Sequence, residues 1–492
     1  MNRPGNLGLC MVLLGVAAFG QEPAPASPLP GESVLAKRPT LLSLQPFAAP
    51  VAHEVKLANG LRLLLVHRPG APILSLNFVA RRGSLADPAH LPGLASLSAA
   101  MLEAGSAGKS QTDIAAMADA LGTSLGVGAG PDETHITLSA LPSRFPEMAR
   151  LLADVVLRPN LEEAEWQKLK TQRLGRLQAQ LAEPQVGANL AFHAALYGDD
   201  PLGHPALGTP TSVQAASLSD VKMFLGAIRP ESCALVVVGS IPEKTVVKTL
   251  AASFGQPWAR QGNGPQATEA HPAASSPVPR LVTVDFPGRP QTVVVVGQVA
   301  IPSGSKDALP LRLVNSVLGG SFTSRLNQNL REAHGYTYGA SSSFAFGNRP
   351  GPFAVRTSVK TENTGAAVAE VFKELDRIVA EPLPDDDLSK GKALLAFQLV
   401  QSLQSAQATA ALVADLFVHG LPPNDLATFV PRLRALKSDA VRAAVQRVLK
   451  PGTMTILLAG DAQVVLPQLP AAGLALPAPK AFSPAGEALP SK

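Results

Sequence analysis

The amino-acid sequence predicts an α+β protein made of two homologous domains, each a mostly antiparallel sheet with helices packed on one face. One order of strands, turns and helices runs through the chain twice, with matching features roughly 220 residues apart, which is typical of an internal duplication. Residues 256–279, between the two copies, are rich in Pro, Ala, Ser and Gly and are typical of a linker. A chain of 492 residues is also long enough for two full hydrophobic cores.

The composition excludes several classes of protein. Hydrophobic residues make up 46% and charged residues 16% of the chain, which indicates a globular rather than a disordered protein. The formal net charge of +5 is small for this length, and the sequence has no basic tract with interleaved aromatic residues. We therefore expect no nucleic-acid partner. The sequence also lacks a phosphate-binding loop.

The first 20 residues are predicted to be an export signal. Arg3 precedes an apolar run, residues 7–19, that is too short to span a bilayer comfortably. Ala18 and Gly20 give the small-x-small pattern of a processing site, so we expect cleavage before Gln21. The alternative interpretation of this segment is a buried N-terminal helix.

Residues 21–50 are rich in Pro and Ala and are predicted to form an extended leader. Cleavage of the signal would leave Cys233 as the only cysteine, so we expect it to be a small core residue without a disulfide partner. No later segment has the run of about 18 uninterrupted apolar residues that a membrane-spanning helix needs. We therefore expect a mature protein without a membrane span, located in the periplasm or secreted.

The N-terminal domain is predicted for residues 51–255. It begins with a β-hairpin, because Asn59-Gly60 separates two runs of alternating hydrophobicity. Ser110 and Asp113 have the spacing of a capping box and predict a helix that ends at Gly122. Hydrophobic periodicity predicts the other strands at residues 73–80, 134–138 and 234–239, helices at 94–103, 144–156, 162–181 and 186–196, and a further helix that begins at Ser219-Asp220.

The C-terminal domain is predicted for residues 280–467 and is followed by a Pro- and Ala-rich tail, residues 468–492. Its elements have counterparts in the first half. Strand 292–300 corresponds to strand 73–80. Strand 353–359 and the helix that follows it to Val379 correspond to residues 134–156. The helix that begins at Ser438-Asp439 and strand 455–460 correspond to residues 219–239. The repeated order supports a duplication rather than two unrelated domains.

Residues 318–340, in the second half, carry the candidate functional residues. Gly319-Gly320 breaks one helix. Apolar residues spaced by four then predict a short helix: Phe322, Leu326 and Leu330. Gly335 closes this helix, and aromatic and β-branched residues open a strand, Tyr336-Thr337-Tyr338. Arg331 and Tyr338 therefore lie at the helix end and the strand start, where both can face one pocket.

This block resembles the C-terminal-half signature of the pitrilysin/insulinase family of zinc peptidases, which includes mitochondrial processing peptidase. Residues 83–105 and the loop 197–210 resemble other parts of the same family, and the resemblance extends over nearly all of residues 50–462. It implies that Arg331 and Tyr338 reach a substrate at a zinc ion held by the other half. Without the resemblance, an exposed helix-terminal arginine beside a tyrosine at the core edge would be the simpler interpretation.

The zinc ligands of the family are missing from the matching N-terminal block. The family has His-x-x-Glu-His on a helix, where the two histidines bind zinc and the glutamate is the general base. Residues 93–102 match the flanks of that motif, but Ser96, Ala99 and Ala100 occupy its three functional positions. Alanine has no donor atom, and a neutral serine is a poor zinc ligand.

The rest of the sequence offers no replacement for these ligands. The third ligand of the family is a glutamate on the long helix that follows, whereas residues 166–182 contain no acidic residue. None of the nine histidines pairs with another three to five positions away, and Glu133 with His135 lacks a third donor. We therefore predict that this chain binds no metal cofactor of its own.

The resemblance implies a non-zinc-binding partner subunit of an exported insulinase-like peptidase. In family members split over two chains, one subunit brings the zinc and the other brings the Arg and the Tyr. We therefore expect a heterodimer with a zinc-bearing subunit, in which Arg331 and Tyr338 make substrate and oxyanion contacts in trans. The substrate would be an unfolded peptide that docks partly by strand addition to a sheet edge. A catalytically inactive structural or peptide-binding relative is the alternative, and an independent peptidase with an unfamiliar metal site is a third.

Overall fold

Two six-stranded sheets organise the chain, one in each half. The computed structural model describes residues 48–255, Trp258 and residues 280–490. The predicted export signal, nearly all of the predicted leader and the predicted linker lie outside the described residues and stay predictions. Within the described ranges, the two-domain α+β architecture is confirmed.

The N-terminal sheet and its small neighbour contain eight strands in chain order: β1 (His53–Lys56), β2 (Arg62–His67), β3 (Leu74–Ala80), β4 (Gly105–Ser106), β5 (Lys109–Ser110), β6 (Gly126–Ala129), β7 (Thr134–Ala140) and β8 (Cys233–Gly239). The main sheet has the order β1-β2-β8-β3-β7-β6, and only β2 and β8 are parallel neighbours. The predicted hairpin is confirmed, since Lys56 pairs with Arg62 across the turn and Gly60 has a φ of +94°. Cys233 is buried in β8, as predicted, and burial raises the pKa of its thiol.

The described residues of the N-terminal half form eight helices: α1 (Leu94–Leu102), α2 (Gln111–Ala120), α3 (Phe145–Leu157), α4 (Glu163–Gln180), α5 (Pro184–Tyr197), α6 (Pro210–Ala215), α7 (Leu218–Gly226) and α8 (Glu243–Leu250). The predicted capping box of α2 is present, because the side chain of Ser110 accepts a hydrogen bond from the backbone N–H of Asp113. The predicted start of α7 at Ser219 is wrong. Ser217 is its N-cap, since it lies three residues before Asp220 and the two side chains bind each other's backbone N–H.

The C-terminal sheet repeats this arrangement with six strands: β9 (Leu281–Asp285), β10 (Gln291–Val299), β11 (Thr337–Phe344), β12 (Pro352–Lys360), β13 (Thr455–Gly460) and β14 (Lys480–Phe482). The order is β11-β12-β10-β13-β9-β14, and β9 is parallel to both of its neighbours. The chain from residue 468 does not form the predicted tail. It forms a short helix and then β14, because β9 offers a free backbone edge and Phe482 is buried against the sheet.

The helices of the C-terminal half are α9 (Ala308–Leu318), α10 (Arg325–Asn327), α11 (Thr364–Ala380), α12 (Asp385–Ser402), α13 (Ala406–Val418), α14 (Asp425–Ala435), α15 (Ser438–Val448), α16 (Ala462–Val465) and α17 (Gln468–Ala471). The helix predicted from Phe322 is shorter and less regular than expected. It consists of the single turn α10 and a π-helical turn, Gln328–Ala333. Leu326 and Leu330 are buried as predicted, but Phe322 precedes the helix and is 69% exposed.

Each half also contributes one helix to the other half's sheet. Helix α5 buries Ala191 and Phe192 against β9, β10 and β13, and α13 buries Val413 and Phe417 against β2, β3 and β8. The prediction of helices on one face was therefore incomplete, since the second face of each sheet is covered by the exchanged helix.

Polar contacts reinforce the exchange between the halves. Asp200 follows α5 and forms a buried ion pair with Arg349 of the C-terminal half. Close by, the hydroxyl of Tyr197 donates a hydrogen bond to the carbonyl oxygen of Pro350 at 3.0 Å. On the other side, Arg81 Nε donates to the carbonyl oxygen of Phe417 at 2.9 Å. The two halves thus form one continuous body around α5 and α13.

No helix in the described ranges combines the length and the apolar content that a membrane-spanning helix requires.

Candidate functional site

Helix α1, which carries the degenerate motif, is fixed at its N-terminus by a buried carboxylate. The two oxygens of Asp87 accept hydrogen bonds from the backbone N–H groups of Gly93 and Ala95, each at 2.8 Å. Gly93 has a φ of +92°, and a Cβ at this position would lie 2.4 Å from the backbone nitrogen of Gly208. Burial raises the pKa of Asp87 to about 7, although these N–H donors and the nearby Arg82 lower it. Tight packing of the 205–208 loop thus sets the position of α1.

The three motif positions lie on α1 as the sequence predicts. Ala99 is 2% exposed, whereas Ser96 and Ala100 are half-buried. Among the described residues, no group of three or more His, Cys, Asp or Glu side chains could hold a metal ion. Glu133 and His135 face each other at 3.7 Å between Oε1 and Nδ1, without a third such donor.

A buried cation lies beside Ser96, the first position of the degenerate motif. Arg173 lies on α4 and is only 7% exposed. Its Nη1 donates hydrogen bonds to the Ser96 hydroxyl at 3.0 Å and to the carbonyl oxygen of Leu207 at 3.1 Å. Burial lowers the pKa of Arg173, and repulsion from Arg176 lowers it further. A zinc ion therefore does not fit these residues, because the donor set is one neutral hydroxyl beside a fixed positive charge.

Sequence reasoning missed Arg173, although the helix carried a signal for it. The buried side chains of α4 are Trp166, Arg173 and Leu177, which share one helical face. An arginine on the apolar face of a helix that has no acidic residue after Glu165 indicates a buried cation without a carboxylate partner on the same face.

Arg331 lies in the π-helical turn of the C-terminal half. Its guanidinium carbon lies 4.5 Å from the ring centroid of Phe322, and its Nε lies 3.4 Å from the carboxylate of Glu332. The exposed phenyl ring therefore supports the guanidinium from one side. Its side chain keeps about a third of its surface in contact with solvent.

Tyr338 lies on β11, an edge strand of the C-terminal sheet, and is 92% exposed. The register of β11 with β12 breaks between Thr337 and Ala340, so Tyr338 lies in a local irregularity. Asn327 ties this irregularity to α10, since its Oδ1 accepts a hydrogen bond from the Ala340 N–H at 2.8 Å. By contrast, Tyr336 stacks on His334 with ring centroids 5.0 Å apart. Of these two tyrosines, the fold presents only Tyr338 fully to solvent.

The structure therefore keeps the predicted residues as two separate sets. Ser96, Ala99 and Ala100 belong to the N-terminal half, where Arg173 contacts Ser96. Arg331 and Tyr338 belong to one short segment of the C-terminal half, where Phe322 and Glu332 contact the arginine.

Two duplicated α+β halves, a motif helix without metal ligands and an Arg/Tyr block at a sheet edge define a metallopeptidase-type fold with a degenerate metal motif. Residues 62–210 match the model of Insulinase (Peptidase family M16), and residues 222–395 match the model of the Peptidase M16 inactive domain. The two models together match most of the chain, which belongs to peptidase family M16, the insulinase family. The resemblance seen in the sequence is confirmed.

Similar proteins span both halves of the chain. An uncharacterized zinc protease of Mycobacterium tuberculosis is 25% identical over 362 residues, covering 73% of this chain and 82% of that protein. A non-peptidase homolog of Helicobacter pylori is 24% identical over 359 residues, covering 72% of this chain and 81% of that protein. The crystal structure of a peptidase M16 inactive domain from Pseudomonas fluorescens matches with a TM-score of 0.74 at 25% identity, covering 83% of this chain and 98% of that chain. These relatives include a protein named as a zinc protease and one named as a non-peptidase homolog, so membership of the family alone does not decide whether a chain has peptidase activity.

Proposed function

We propose that this chain is the non-zinc-binding subunit of an exported M16 peptidase and supplies Arg331 and Tyr338 to a zinc-bearing partner subunit. The observation that carries the proposal is the 92% exposure of Tyr338 on an edge strand. The degenerate metal motif of the same chain has Arg173 hydrogen-bonded to Ser96. An exposed aromatic side chain held in a strand irregularity is well suited to contact a second molecule.

The chemistry of the two side chains fits this role. A zinc-bound hydroxide that attacks a peptide carbonyl builds negative charge on the carbonyl oxygen, and a hydrogen-bond donor aimed at that oxygen stabilises the transition state. Tyr338 offers one neutral O–H donor for this purpose. Arg331 offers a planar, permanently charged fork that can bind a neighbouring carbonyl of the substrate, and Phe322 holds it from one side. Both groups would contact a peptide substrate that is bound at the zinc ion of the partner subunit.

The unfolded peptide would dock at a sheet edge that is open in the described residues. Strand β11 pairs only with β12 and carries Tyr338, so an extended peptide can add to its free edge. Strand addition satisfies backbone groups of both partners and is independent of the peptide sequence, which suits unfolded substrates.

Co-purification of the native chain from its source tests this proposal. We expect a second M16 subunit in the preparation, with zinc in that subunit and peptidase activity only in the complex. Recovery of the chain alone, or with partners that carry no zinc site, would contradict the proposal. Edman sequencing of the same preparation tests the export signal, since a mature protein that begins at Gln21 is expected and an intact Met1 would exclude processing there.

A catalytically inactive structural or peptide-binding role is the second candidate, favoured by the similarity to a non-peptidase homolog of Helicobacter pylori. In that case a complex would still form and peptides would still bind. Its turnover, if any, would not depend on Arg331 or Tyr338. Replacement of these two residues therefore separates the two functions.

A further inference from the structure

Arg173 is a buried cation without a counter-charge. Among the described residues it forms no ion pair, and its hydrogen bonds go to a neutral hydroxyl, that of Ser96, and to the carbonyl of Leu207. Apart from burial, the group that lowers the pKa of Arg173 is the positively charged Arg176, which repels it. Burying a charged group without an opposite charge is unfavourable, so the fold would not retain it for packing alone.

The internal duplication shows that the fold does not require a cation at this position. Lys170 of α4 donates to the carbonyl oxygen of Ala216 at 3.0 Å, and Lys392, at the same position of α12, donates to that of Leu436 at 2.6 Å. These two helices therefore correspond residue by residue. At the position that matches Arg173, helix α12 has Leu395, which packs against the C-terminal core. An apolar side chain is thus sufficient in the half that has no motif helix.

The arginine joins the same two helices that a metal ion would join. In the family that the sequence resembles, the metal ligands come from the motif helix and from the long helix that follows it. Here Arg173 of the long helix α4 binds Ser96 of the motif helix α1, at the first of the three degenerate positions. The same Nη1 also binds the 205–208 loop, which packs on the start of α1 through Gly93 and Gly208.

We propose that Arg173 substitutes for the metal ion of the family: its guanidinium bridges α1 and α4, and its positive charge excludes divalent cations from the degenerate motif. The motif is therefore not merely incomplete but closed to metal. Restoring the family's three residues would not restore zinc while Arg173 is present, because a guanidinium at hydrogen-bond distance repels the ion and takes its space. This inference does not depend on the roles of Arg331 and Tyr338.

Zinc binding by variants of the full chain tests the proposal. The first variant restores the motif with Ser96→His, Ala99→Glu and Ala100→His, the second adds Arg173→Glu, and the third adds Arg176→Glu instead. Arg176 is exposed on the same helix, so the third variant matches the second in net charge. After loading with ZnCl2 and dialysis, we expect about one zinc per chain in the second variant and less than about a tenth in the other two. Circular dichroism confirms that each variant is folded.

One zinc per chain in the first or the third variant would overturn the proposal, because metal would then bind beside Arg173. A folded second variant without zinc would overturn it as well. If the second variant does not fold, the comparison of Ser96→His alone with Ser96→His plus Arg173→Glu decides the question with Co2+, whose visible absorption reports bound metal. Binding is expected in the double variant only, and equal spectra for the two would contradict a role of Arg173.

Discussion

Replacing Tyr338 by Phe in a complex with a zinc-bearing subunit isolates one hydroxyl group. The ring of Tyr338 is 92% exposed, and among the described residues its hydroxyl makes no hydrogen bond, so the substitution removes no contact within the chain. Surface substitutions of this kind change the free energy of unfolding by about 0.5 kcal/mol or less. The melting temperature and the assembly of the complex should therefore stay unchanged.

The expected effect is confined to turnover. A donor aimed at the developing oxyanion contributes about 2.7–4 kcal/mol, so its loss should lower kcat by about 10²–10³. Because the bond is strongest in the transition state, the peptide dissociation constant should change little. The assay is the cleavage of a fluorogenic unfolded peptide by the reconstituted complex, with peptide binding measured by fluorescence anisotropy.

Tyr336→Phe is the matched control. It removes a hydroxyl two residues away, from a ring that stacks on His334 and is less exposed than that of Tyr338. Turnover close to that of the wild type is expected for this control. Equal turnover in the wild type and Tyr338→Phe would refute the role of the Tyr338 hydroxyl, as would an equal loss in both variants.

Three other substitutions or conditions have expected outcomes. Arg331→Ala should weaken peptide binding and lower turnover together. Phe322→Leu removes only the ring beside the guanidinium and should have a smaller effect on both quantities. Equal effects of the two substitutions would mean that the ring and not the charge matters. The wild-type chain purified alone should contain substoichiometric zinc by elemental analysis and cleave no unfolded peptide, and one zinc per chain with chelator-sensitive cleavage would contradict this. The free energy of unfolding should fall as the pH drops below about 6.5. Burial, and to a smaller extent repulsion from Arg356, lower the pKa of His193 in the folded chain, although its hydrogen bond to Leu202 acts in the opposite direction. The unfolded chain therefore takes up the proton at a higher pH than the folded chain. This loss is at most about 1.4 kcal/mol per pH unit, and in urea titrations His193→Gln should lose less stability over the same pH range than the wild type.

Local sequence patterns were sufficient to predict most of the elements and their order. The Asn-Gly turn between β1 and β2 and the capping box at Ser110 are decided by neighbouring residues, so they can be predicted from sequence alone. The same holds for Arg331 and Tyr338, which lie in one short segment whose helix end and strand start are signalled by Gly335 and the following aromatic residues.

Features decided by long-range packing were not predictable in this way. The periodicity of α5 and α13 indicates buried faces but not that each helix packs on the other half's sheet. The end of the chain has the composition of a linker, yet three of its residues find a free strand edge at β9. Arg173 meets Ser96 only because α4 folds back onto α1, a contact between residues far apart in sequence.

The most direct measurement compares the activity of the zinc-bearing partner subunit with three additions: nothing, the wild-type chain, and the chain with Arg331→Ala and Tyr338→Phe together. The wild-type chain should produce peptidase activity that rises with its concentration until the partner is saturated. The double variant should assemble equally well, as measured by analytical ultracentrifugation, yet restore less than about a hundredth of that activity. Full activity in the double-variant complex would show that the chain is a scaffold and would contradict its role in supplying Arg331 and Tyr338.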